Sequence, residues 1–70
     1  MTLPLPRTNH PAQGVVDKAI APHRPGRIKF QGTYWKAELA DPGYKRVEVG
    51  ELVQVVGLQG IRLLVVPEEN

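Results

Sequence analysis

The stretch Glu51-Leu52-Val53-Gln54-Val55-Val56-Gly57-Leu58-Gln59-Gly60-Ile61-Arg62-Leu63-Leu64-Val65-Val66 decides the fold. Val and Leu dominate it, and Gln59-Gly60 divides it into 51–58 and 61–66. Two short Val/Leu-rich segments around a Gly-containing turn read as a β-hairpin. Its register follows from the two polar residues. A two-residue loop at Gln59-Gly60 would pair Leu58 with Ile61 and put Gln54 and Arg62 on different faces. A bulged or three-residue turn shifts the pairing by one. Val53, Val55, Leu63 and Val65 then share one face, and Gln54 and Arg62 share the other. This arrangement buries neither polar group and avoids roughly 1–3 kcal/mol for each one left unpaired. The bulged register is therefore expected, with Gly57 or Gly60 adopting the unusual dihedral.

The same grammar extends toward the N-terminus. Arg27-Ile28-Lys29-Phe30 alternates polar and apolar, and 34–39 places Trp35, Ala37 and Leu39 on one face. The segment 15–21 is a further strand candidate. Turns are marked by 22–26, Gly32, Asp41-Pro42-Gly43 and Gly50, and Pro67 ends the ordered part. Five short strands with tight connections predict an all-β barrel over 14–67. Its expected core is Val15, Ile20, Ile28, Phe30, Trp35, Ala37, Leu39, Val53, Val55, Leu63 and Val65. Residues 1–13 hold Pro4, Pro6 and Pro11 and no periodicity, so they read as a flexible Pro-rich tail. Residues 68–70 read as a short C-terminal tail.

Composition excludes much chemistry. Seventy residues allow one small domain, with an expected stability of roughly 3–10 kcal/mol. There is no cysteine and no serine, so disulfides, thiolate metal sites and Ser or Cys nucleophiles are absent. His10 and His23 have no acid at ligand spacing, and the glycines are scattered one per turn rather than grouped as a phosphate cradle. No enzyme activity, cofactor or metal is expected. No apolar run approaches the ~20 residues that span a bilayer, and the start lacks the apolar core of a signal peptide. The chain reads as cytoplasmic.

The pattern as a whole resembles the C-terminal domain of NfeD-like proteins. The residues that carry it are Gly14, Ile20 and Pro22, then Pro25-Gly26-Arg27-Ile28, Phe30, Gly32, Trp35 and Ala37. The closing part has Val47, Val49-Gly50, Val53, Val55-Val56, Gly60, Leu63, Val65 and Pro67. The resemblance implies a compact five-stranded OB-like barrel, here as a stand-alone soluble domain. It also implies an adaptor for stomatin- or flotillin-type membrane scaffold proteins, in membrane-protein quality control, with any membrane association made through the partner. The 41–48 segment is too short for the helix that many OB barrels place between their third and fourth strands.

Two surfaces are candidates for binding. In the bulged register Leu52, Val56, Leu64 and Val66 share the outer face of the last hairpin, and an apolar surface of that kind usually marks a contact. Its occupant could be Leu3 and Leu5 of the tail, a second copy in a weak homo-oligomer, or a foreign protein. The alternative surface is basic. Residues 1–46 carry eight Lys/Arg against three acids, and 47–70 carry one against four. Arg27, Lys29 and Lys36 point outward together on adjacent strands, as a single-stranded nucleic-acid-binding OB domain requires. Outward rings for base stacking are few, with only Tyr34 and Tyr44 in position, so protein binding is the primary expectation.

Overall fold

The computed structural model describes residues 12–68. Five strands, β1 (Gln13–Lys18), β2 (Gly26–Phe30), β3 (Thr33–Leu39), β4 (Leu52–Gln59) and β5 (Arg62–Pro67), close into one barrel in the order β1-β2-β3-β5-β4. No helix occurs among the described residues. Neighbouring strands are antiparallel except β3 and β5, which run parallel over Ala37–Leu63, Glu38–Leu64 and Leu39–Val65. The β1–β4 pairing closes the barrel through Gln13–Gln54, Gly14–Val53 and Val15–Leu52. The Val55 amide donates to the Ala12 carbonyl and extends this ladder. Closure removes most of the unpaired strand edge that a small sheet would otherwise expose.

The last hairpin turns at Gly60-Ile61, with Gln59 opposite Arg62 and Gly60 at φ 64°. A bulge between Val55 and Gly57 then shifts the register, so that Val55 pairs with Val65 and Gly57 with Leu64. Val53, Leu63 and Val65 are buried, and Val55 packs against them. Gln54 and Arg62 stay out of the core. Gln54 donates to Glu68 at 3.3 Å, and Arg62 pairs with Glu38 across β3–β5 at 3.3 Å. Glu68 also accepts a 2.6 Å hydrogen bond from Gln13 and donates its amide to Leu52, so it is tied to β1 and β4. Of the two chain ends read as tails, residues 1–11, 69 and 70 lie outside the described residues.

The core is Val16, Ile20, Ile28, Ala37, Leu39, Val47, Val53, Leu63 and Val65, with Phe30 and Val55 packed against it. Two expectations are corrected and one core residue is added. Val16, not Val15, points inward: Val16 pairs with buried Ile28, whereas Val15 pairs with the exposed Lys29 and Leu52. Trp35 is 36% exposed. It precedes Ala37, where β5 first joins β3, and so has a strand neighbour only on the β2 side. Val47 is buried although it lies between strands. It exchanges two backbone hydrogen bonds with Ile20, at 2.8 and 3.0 Å, and joins the core from the β3–β4 connection.

Candidate partner-binding surfaces

The first surface lies on the outside of β4 and β5. Leu52 is 44% and Val56 55% exposed. Val56 is the extra residue of the bulge, which turns it out of the ladder. Leu64 sits opposite Gly57, and a Cβ at position 57 would touch its Cδ1 at 3.5 Å. The missing side chain lets Leu64 lie across β4, half-buried. Val66, also half-buried, pairs with Gln54. Val15, assigned by sequence to the core, joins this surface as the direct partner of Leu52 on β1. The Val15-Val16 pair held no alternation that could have shown which of the two faces outward. The apolar surface therefore reaches from β5 across β4 to β1, with the Arg62–Glu38 ion pair beside it.

The second surface lies on the outside of β2 and β3. Arg27 pairs directly with Lys36, and Lys29 with Tyr34. The Arg27 guanidinium lies 5.0 Å and the Lys29 ammonium 5.9 Å from the Tyr34 ring centroid, both within cation–π range. Arg27 is held by Asp17, whose Oδ2 accepts from Nε at 2.8 Å. Asp17 is free to do this because β1 carries a bulge between Val16 and Lys18. Beyond the bulge Lys18 pairs with Arg27. Lys18, Pro25, Gly26, Arg27, Tyr34, Trp35 and Lys36 line an open groove of about 340 Å³. The sequence foresaw Arg27, Lys29 and Lys36 together but missed Lys18 and Trp35 as their neighbours. Position 35, three residues after Gly32 and so close to a hairpin turn, was the available signal. Tyr44, the other ring expected outward, lies in the β3–β4 connection and is not among the residues that line the groove. His23 lies in the loop before β2 and is exposed, and among the described residues no three His, Asp or Glu side chains converge to hold a metal.

Comparison with known proteins agrees with this architecture. The model of the NfeD-like C-terminal, partner-binding domain family matches residues 12–67. One similar solved structure is the C-terminal domain of stomatin operon partner protein 1510-C from Pyrococcus horikoshii. It is 34% identical, with a TM-score of 0.75 over 91% of this chain and 100% of that one. A second is the soluble domain of a membrane protein implicated in regulation of membrane protease activity from Corynebacterium glutamicum. It is 26% identical, with a TM-score of 0.73 over 83% of this chain and 89% of that one. Among curated proteins none matches.

Proposed function

Because the chain belongs to the family of NfeD-like C-terminal, partner-binding domains, we propose that it is a non-catalytic adaptor for a stomatin- or flotillin-type membrane scaffold protein. The observation that carries this reading is the 34% identity to the domain of a stomatin operon partner protein, over 91% of this chain. The role is one of membrane-protein quality control, in keeping with a second neighbour described as implicated in regulating membrane protease activity. No helix among the described residues is long and apolar enough to cross a membrane. Membrane association in this reading comes through the partner, from the cytoplasmic side.

The apolar outer face of β4 and β5 is the proposed dock. Leu52 and Val56 stand exposed on it, with Val15 beside them and Leu64 and Val66 completing it. Covering exposed aliphatics is favourable by roughly 25 cal/mol per Å² removed from water, and needs no charge on the partner. The test is capture of a purified stomatin-type scaffold protein by the chain, with nuclease present. Val56→Lys is expected to keep the fold and abolish capture. Undiminished capture by that variant places the dock elsewhere, and failure of the unmodified chain to bind removes the adaptor reading.

A further inference from the structure

The groove on β2 and β3 is chemically unlike the apolar face. Three cations, Lys18, Arg27 and Lys36, line it together with Tyr34, Trp35 and Pro25. Arg27 is neutralised by Asp17. Lys18 and Lys36 make no ion pair among the described residues, and both are exposed. Two uncompensated ammonium groups therefore flank a fixed guanidinium at the rim of a concavity that Tyr34, Trp35 and Pro25 also line. We infer that this groove binds a short acidic peptide segment, with carboxylates on Lys18 and Lys36 and an apolar side chain against Trp35 and Pro25.

Several observations favour a peptide over the other polyanions. A single nucleic-acid strand needs rings with open faces on which successive bases stack. Here Arg27 and Lys29 already lie over the Tyr34 ring, and Trp35, at 36% exposure, presents only part of its indole. With the Arg27 charge taken up by Asp17, Lys18 and Lys36 are left to meet an anion, which two carboxylates match and a run of phosphates exceeds. A bilayer surface would bridge a concavity and leave it unfilled. About 340 Å³ is the size of a site for a few side chains. Carboxylates spaced along an extended peptide can reach Lys18 and Lys36 while avoiding Asp17.

Trp35 is the chain's single tryptophan, so its fluorescence reports on the groove directly. The experiment titrates the full chain with a capped peptide of Glu, Leu and Ser, and in parallel with oligothymidine and with phosphatidylglycerol–phosphatidylcholine vesicles. The peptide is expected to give a saturable change in Trp35 emission that weakens severalfold from low to physiological salt. The double variant Lys18→Glu, Lys36→Glu is expected to bind at least about tenfold more weakly with an unchanged melting temperature. Lys18→Met, Lys36→Met should fall between, which separates lost attraction from altered folding. No saturable response, equal affinity in the charge-reversed chain, or tighter binding of oligothymidine or vesicles overturns the inference. The groove residues are distinct from Leu52, Val56, Leu64 and Val66. Capture of the scaffold protein should therefore survive the charge reversal, and the two readings can fail separately.

Discussion

Gly26 is the residue that the barrel tolerates changing least. A Cβ there would sit 2.3 Å from the carbonyl oxygens of both Lys18 and Ala19. Those atoms are backbone, so the end of β1 would have to move off β2. Gly26→Ala should cost about 3 kcal/mol or more, a large share of so small a domain's stability, and urea unfolding followed by circular dichroism measures it. Gln31 is a smaller and opposite case. It occupies a left-handed conformation at φ 53°, next to Gly32 at 83°, in the two-residue turn between Phe30 and Thr33. Such a turn favours Asn-Gly. Gln31→Asn should therefore stabilise by about 0.5 kcal/mol, raising the melting temperature by about 2–4 °C. Trp35→Ala would cost 3–5 kcal/mol if the indole were core. Its partial exposure lowers the expected loss to about 1–2 kcal/mol, and a variant that fails to fold would return Trp35 to the core.

At the scale of elements, the last hairpin was legible because its alternation carries two polar markers. Gln54 and Arg62 could not both avoid burial in the unshifted register, and the bulge resolves this at Val55–Gly57. The strand β1 was not legible in the same way. Val15 and Val16 are adjacent and equally apolar, and which one enters the core depends on pairing with Ile28 and Leu52, which is tertiary information. Val47 was hidden for a related reason: it lies in an irregular connection with no period, and only its bridge to Ile20 buries it. Of the candidate surfaces, Arg27, Lys29 and Lys36 followed from strand parity alone, whereas Lys18 needed the β1 bulge. The exposure of Val56 rests on that hairpin's own bulge. Val56→Lys should shift stability by less than ~0.5 kcal/mol, measurable as a near-unchanged thermal melt.

The whole molecule separates its two kinds of surface. Cations gather on the outside of β1, β2 and β3, and exposed aliphatics on β4 and its turn to β5, with Val15 on β1 and Val49 before β4. Contacts on the two should answer differently to ionic strength. Apolar docking is little affected by added salt, while ion pairs across the groove are screened over about 8–10 Å. Scaffold-protein binding is therefore expected to hold between low and physiological salt, and calorimetric titration at both concentrations checks it. The most direct measurement of the central claim is an amide NMR map of the full chain titrated with a purified stomatin-type scaffold protein. The expected result is saturable shifts concentrated at Val15, 52–56 and 64–66. Shifts confined to 26–36, or no binding, would contradict the claim that the apolar face of β4 and β5 is where this domain meets its partner.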